Sequence, residues 1–303
     1  MINLVKMQEF FSTYLLPLSL AVIMMGMGLS LEKRDFSNVL RYPKPILTGV
    51  ISQVFILPLV AFIIFSFTNL NPFVKVGFIL ITACAGGSAT NVITHMLKGN
   101  LALSISLTAI NSLIILVTLP LIVNLGLILF IGEERSIHLN VLNTIINIFF
   151  TILIPTFIGM SIRNYFFQFT LRVQKYLRII LPAILLSVFI VIIFFDDNGS
   201  QNNIYDYLYI VPWALLLNFV SMLVVYLLAK NLRLGGKNNF TISIEVGLKN
   251  SIVGIFVAET LLNNHEIAMV SVVYGSITFF STLFFGYLAK RIELWGFGYR
   301  KLF

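Results

Sequence analysis

Apolar stretches about as long as a bilayer is thick follow one another along the whole chain, each closed by a few polar residues. Nine can be marked, at about 12–31, 43–68, 73–96, 101–131, 138–162, 176–195, 206–229, 239–262 and 267–289. A membrane-spanning helix needs about 20 predominantly apolar residues, so each stretch is expected to be one. The connections are short and hydrophilic: Asn69 to Pro72, Gly132 to Ser136, Asp196 to Asn203 and Asn263 to Glu266. None is long enough to separate soluble domains, and no low-complexity tract interrupts the series. The expected architecture is an all-α polytopic membrane protein of nine transmembrane helices, with residues 1–303 forming a single membrane transport domain. The first stretch could pass for a signal peptide. It lacks a basic leading region and an A-x-A cleavage site, and Glu32-Lys33-Arg34 follows it, so it is expected to be retained as a helix.

Two stretches lose the apolar pattern at their centres. The third carries Cys84-Ala85-Gly86-Gly87-Ser88-Ala89-Thr90-Asn91, and the eighth carries Ile244-Glu245-Val246-Gly247-Leu248-Lys249-Asn250-Ser251. Glycine costs a helix interior about 1 kcal/mol relative to alanine, so a pair of them weakens the third span. Small residues also serve close packing between membrane helices, and Gly86-Gly87 alone would fit that equally well. The eighth span is harder to explain by packing, because an acid and a base at mid-membrane are costly and usually face a functional, protein-lined interior. Opened backbone at that depth is tolerated only where it lines a cavity. The third and eighth spans are five apart, so the two breaks enter the membrane from opposite sides. That is the arrangement of an inverted-repeat transporter, with repeats at about 12–131 and 138–290 and two broken, crossing helices.

Composition agrees with the pattern: 58% of the residues are hydrophobic and only 11% charged, against about 25% charged in soluble domains. The net charge of +8 could point to nucleic acid or anionic lipid. Its distribution explains it more simply. Lys33, Arg34, Arg41, Lys44, Lys98, Arg163, Arg172, Lys175, Arg178, Lys230, Arg233, Lys237, Lys290, Arg291, Arg300 and Lys301 all fall in alternate connections. The other side holds only Lys6, Lys75 and Arg135, together with Glu133, Glu134, Asp196, Asp197, Asp206 and Glu266. The positive-inside rule then puts the N-terminus outside and the C-terminus in the cytoplasm of a plasma (inner) membrane protein. The basic balance is topological, so the lipid bilayer is an expected partner and nucleic acid is not; no obligate protein partner is evident. The lone Cys84 excludes an internal disulfide, and His95, His138 and His265 have no metal-ligand spacing.

Each break offers free carbonyls at one half-helix end and free amides at the start of the next. Carbonyls suit a hard cation such as Na⁺, and the amide ends suit an anion. Glu245 adds a full charge for the cation, and Thr90 and Asn91 add neutral oxygens. Ser104 and Thr108, four residues apart, share one face of the fourth span; hydroxyl bonding to their own helix is the plainer reading of that pair alone. His95 could relay a proton or simply end a helix, and Glu259 and Glu266 are expected near the outer surface. The function expected is secondary active transport of an organic anion. A cation-independent facilitator, a channel or a membrane sensor is the alternative. An intramembrane enzyme using Glu245 and Lys249 is a further one, but no metal motif, nucleophile elbow or phosphate loop supports it.

Residues 84–108, CAGGSATNVITHMLKGNLALSISLT, resemble the signature of the bile acid:sodium symporter family, a broken helix followed by a short basic turn and a Ser-x3-Thr helix. The stretch IEVGLKNS at 244–251 resembles the family's second break, and Met25 to Leu31 with Gln53 and Pro58 resemble its early helices. The resemblance implies a panel domain and a core domain, the two broken helices crossing in the core, and import of a small organic anion with Na⁺ by alternating access. Carried over by position, it implies a first sodium site at Thr90, Asn91, Ser104, Thr108 and Glu245. A second would use Gln53, Glu245 and the carbonyls of Val246 and Leu248. Ser88 and Asn250 match positions that contact the anionic substrate, and Lys249 is a further substrate candidate. Three departures stand out: Thr90 replaces a serine, Ala85 a proline, and Lys249 a glutamine of the second sodium site. A charged ammonium has no lone pair to give a cation. One expectation is therefore that Lys249 takes the second cation's place and pairs with Glu245, lowering the sodium number or passing coupling to H⁺. The other is that it extends toward water.

Overall fold

The computed structural model describes residues 10–32, 35, 43–132, 139–194 and 204–300, and all their regular structure is helical. Lys6, Lys33, Arg34, Arg41, Arg135 and Lys301, and the connections at 133–136 and 196–203, lie outside the described residues. The helices are α1 (Phe11–Gly28), α2 (Pro43–Ser66), α3 (Pro72–Ala83), α4 (Ser88–Met96), α5 (Leu101–Phe130) and α6 (Val141–Tyr165). They continue with α7 (Phe167–Phe194), α8 (Ile210–Asn231), α9 (Gly236–Gly247), α10 (Ser251–Phe256, wound on as a π-turn to Leu261) and α11 (His265–Arg300).

Among the described residues seven spans are long and apolar enough to cross a membrane, α9 and α10 counting as one: Gly236–Leu261. The bent pairs Pro72–Ala83 with Ser88–Met96, and Phe167–Leu177 with Ile179–Ile193, bring the number to nine if each pair is one span. Two boundaries differ from the hydropathy reading. Helix α7 begins at Phe167 rather than near 176, and α11 runs to Arg300 rather than stopping near 289. Backbone hydrogen bonds carry a helix beyond the point where its side chains turn polar.

Local chemistry explains where the helices start. Asn71, Asn100 and Asn140 each accept the amide of a residue two or three places on, at 2.9, 3.1 and 3.1 Å, capping α3, α5 and α6. Gly235, with φ +94°, turns the chain into α9 in a conformation that side chains avoid. Three π-helical turns, Phe11–Leu15, Ser52–Ile56 and Phe149–Leu153, each end two residues before a proline: Pro17, Pro58 and Pro155. A proline inside a helix removes one amide and crowds the carbonyl four residues back, so the turn before it widens. In α2 that widened turn carries Gln53.

Apolar side chains cover both faces of most spans, so hydropathy alone does not say which face is inside. Leu121, Leu125 and Leu129 form one exposed stripe, and Phe55, Leu59 and Ile63 another. Glycine marks the inner faces. A Cβ on Gly28 would stand 2.1 Å from the Thr156 carbonyl oxygen, and one on Gly159 would stand 2.2 Å from that of Met25, so α1 and α6 meet backbone to backbone. Helix α7 joins α1 and α6 in one group, while α3, α5, α8, α9 and α11 pack on one another in a second, with α2 against it. Helix α10 touches α1 and so bridges the groups.

Candidate ion and substrate site

The two interruptions meet. Helix α3 ends at Ala83, Cys84 is extended (φ −68°, ψ 150°), and α4 leaves from Ser88 at 65° to α3. The second helix ends at Gly247, Leu248 is extended (φ −103°, ψ 127°), and helix resumes at Ser251 without a comparable bend. The Asn250 amide donates to the Ala85 carbonyl at 2.9 Å, a bond between one opened backbone and the other. Both sequence-expected interruptions are therefore present and in contact, although only the first turns sharply.

Glu245 sits one turn before the second gap and is fully buried. The Thr108 hydroxyl donates to its Oε1 at 2.6 Å and the Ser104 hydroxyl to its Oε2 at 2.9 Å. So the i, i+4 pair on α5 does not spend both hydroxyls on its own helix. Thr90 Oγ1 lies 3.4 Å from Thr108 Oγ1 and donates to the Gly87 carbonyl at 2.8 Å. Asn91 Oδ1 is buried with no hydrogen-bond partner. Gly86 makes the approach possible, since a Cβ there would fall 2.3 Å from Glu245 Oε1. The result is one carboxylate among neutral oxygens, the donor set of a hard cation rather than of zinc or copper. Among the described residues no group of three or more His, Cys, Asp or Glu could hold a metal ion.

Lys249 departs from the sequence expectation. Its ammonium does not ion-pair with Glu245 among the described residues; it donates to Gln53 Oε1 of α2 at 3.0 Å. It does not extend to water either, being 6% exposed. The expected pair does not form: the chain is no longer helical at 248–250, so four residues no longer span one turn. Asn250, the next residue, points to a different helix, its amide 3.9 Å from the Met24 sulfur of α1. Ser88 is exposed at the start of α4. Asn250 thus faces α1, and Lys249 faces Gln53 on α2.

A buried network that hydropathy did not single out holds the second break. Asn218 of α8 donates to the Gly247 carbonyl at 2.7 Å, and so does the Tyr274 hydroxyl at 3.0 Å. Ser281 donates to the other end of the Asn218 amide at 2.8 Å. Polar residues at the centre of apolar spans were the available signal. His265 and Glu259 form a second unforeseen pair at 2.9 Å, and the Glu259 side chain is buried. His95 ends α4, in its last turn.

Comparison with known proteins decides the class. Residues 17–203 match the Sodium Bile acid symporter family. The chain belongs to that family. It is 34% identical over 240 residues, 79% of its length, to the uncharacterized sodium-dependent transporter YocS of Bacillus subtilis, covering 72% of that protein. It is 27% identical over 246 residues to the probable chloroplastic sodium/metabolite cotransporter BASS1 of Arabidopsis thaliana, and spans 59% of that relative's length. The human ileal sodium/bile acid cotransporter is 32% identical over 106 residues, which is 35% of this chain and 30% of that protein. The family is one of membrane transporters and not of enzymes.

Proposed function

We propose that the protein imports a small organic anion together with Na⁺ by alternating access. Na⁺ is cargo in this scheme. The observation that carries the reading is Glu245, a fully buried carboxylate with hydroxyl partners and no ion pair among the described residues. Buried charges are paired or bind metal ions, and the oxygens turned toward this one belong to Ser104, Thr108 and Thr90. Ser88 and Asn250, at the starts of α4 and α10, would meet the anion where two helix N-termini converge. The helix group α1, α6 and α7 serves as the panel and the remainder as the core. The core moves against the panel while the crossed breaks carry ion and anion between the two sides. The inverted-repeat relation of 12–131 to 138–290, the N-out, C-in orientation and residence in the plasma membrane belong to the same proposal.

The names of the relatives speak of bile acid and of metabolite cotransport. We favour a small carboxylate, because the inter-span connections are short and leave little extramembrane structure for a bulky sterol. Proton coupling through a Glu245–Lys249 pair gains no support from a geometry in which the two do not touch. The test is uptake into proteoliposomes of a labelled carboxylate selected from a thermal-shift panel that includes a bile acid. An inward Na⁺ gradient should drive accumulation and a K⁺ gradient should not. Equal uptake in both, or accumulation driven by a pH gradient alone, would overturn the sodium assignment.

A further inference from the structure

We infer that the Lys249 ammonium is a built-in cation occupying the space beside Gln53, so that the protein binds one Na⁺ per cycle and not two. This rests on the reading of Glu245 as a sodium ligand. Three oxygens are candidates for a cation: Gln53 Oε1, and the carbonyls of Val246 and Leu248, which accept no hydrogen bond among the described residues. Helix would have used the Val246 carbonyl on the Asn250 amide, but that amide turns to Ala85 instead. Opened carbonyls and an amide oxygen are ligands of the kind a small hard cation takes. Here the Lys249 side chain is already on Gln53 Oε1 at 3.0 Å.

Three features make this an occupied place and not an incidental hydrogen bond. Lys249 is buried, so the ammonium has given up water. A base at that depth normally faces an acid or a cavity, yet Glu245 is not in ion-pair contact with it among the described residues and keeps its own hydroxyl partners. The amide nitrogen of Gln53 is buried with no partner among the described residues, and the one hydrogen bond the side chain makes there is its oxygen's, from the ammonium. A free cation entering the same oxygens would meet a like charge within a few ångströms, and Coulomb repulsion in a poorly polarisable interior excludes it. The residues around Glu245 fit sodium; those around Gln53, with Lys249 among them, do not.

The experiment counts bound sodium on the purified protein by equilibrium binding of ²²Na⁺ and by calorimetry, which needs no transport substrate. The wild-type protein should bind one Na⁺ with a Hill coefficient near one, since that coefficient cannot exceed the number of sites. Lys249→Gln supplies an oxygen and removes the charge, and should raise the count to two with a Hill coefficient above one. Lys249→Met removes the charge without an oxygen and should bind the second ion at least tenfold more weakly than Lys249→Gln. Two sodium ions on the wild-type protein would overturn the inference and leave the proposed function intact. So would a Lys249→Gln protein that still binds one. Should Lys249→Gln not fold, the wild-type count decides alone. No sodium bound by the wild-type protein would overturn the reading of the Glu245 site itself.

Discussion

The two breaks do the same thing by different physical means. At 84–87 the chain bends by 65° and the backbone is opened by glycine. At 248–250 the helix resumes nearly in line, and side chains from α8 and α11 hold the open end: Asn218 and Tyr274 both donate to the Gly247 carbonyl. One break is shaped by what is missing from it, the other by what reaches it from outside. The first therefore depends on local residues, and the second on the packing of helices far away in sequence.

Glu245 belongs to both breaks, and removing its charge should have the largest effect. Glu245→Gln leaves the hydroxyls of Ser104 and Thr108 facing an amide, and a lost charged contact of about 3 kcal/mol corresponds to roughly a 100-fold weaker affinity. Sodium-induced thermal stabilisation should vanish up to that higher range. Unchanged sodium affinity would separate the carboxylate from the ion. Next is the glycine pair. Gly86→Ala forces a Cβ to 2.3 Å from Glu245 Oε1, whereas the nearest atom to a Cβ on Gly87 is 3.9 Å away. Overpacking costs about 1–3 kcal/mol, so Gly86→Ala should weaken sodium binding about ten- to a hundredfold while Gly87→Ala stays near wild type. Equal effects would mean that glycine acts there through backbone freedom alone.

At the other break the expected change is smaller. Asn218→Ala removes one of two donors to the Gly247 carbonyl and the acceptor of Ser281, which keeps the Thr278 carbonyl, about 1–2 kcal/mol by the usual scale of buried hydrogen bonds. The unfolding temperature should fall by a few degrees, and Tyr274→Phe should cost about half as much. A double variant losing more than the sum would show that the two donors substitute for each other at the open carbonyl. The smallest effect should come from Glu259→Gln, which loosens the pair with His265 beyond the end of the second break. A stability loss of about 0.5–1 kcal/mol, the net worth of one hydrogen bond that glutamine can keep in part, with unaltered sodium affinity is expected. A shifted sodium affinity would instead tie that outer contact to the site.

Much of the site was legible in order and little of it in orientation. Glu245, Thr90, Ser104 and Thr108 each stand out as a polar group in a span where polarity is costly, but only the family resemblance groups them into one site. Gly86-Gly87 read as one weak point, though only Gly86 faces the carboxylate. Lys249 is expected to take a cation's place and pair with Glu245, and the opened backbone between them turns it to Gln53 instead. Asn218 and Tyr274 lie in spans that otherwise read as plain membrane helices, and nothing local says that both point at residue 247.

From the sequence alone come the helical spans, their number to within two, the places where they break, and the residue types that must be shielded from lipid. These follow from the cost of putting any polar group into hydrocarbon, a cost each residue carries wherever it is. Which acid meets which hydroxyls, which of two glycines must be glycine, and whether a lysine answers an acid or an amide were decided only in three dimensions. Those are contacts between segments up to 196 residues apart. They depend on how the opened backbones turn, which no local preference specifies.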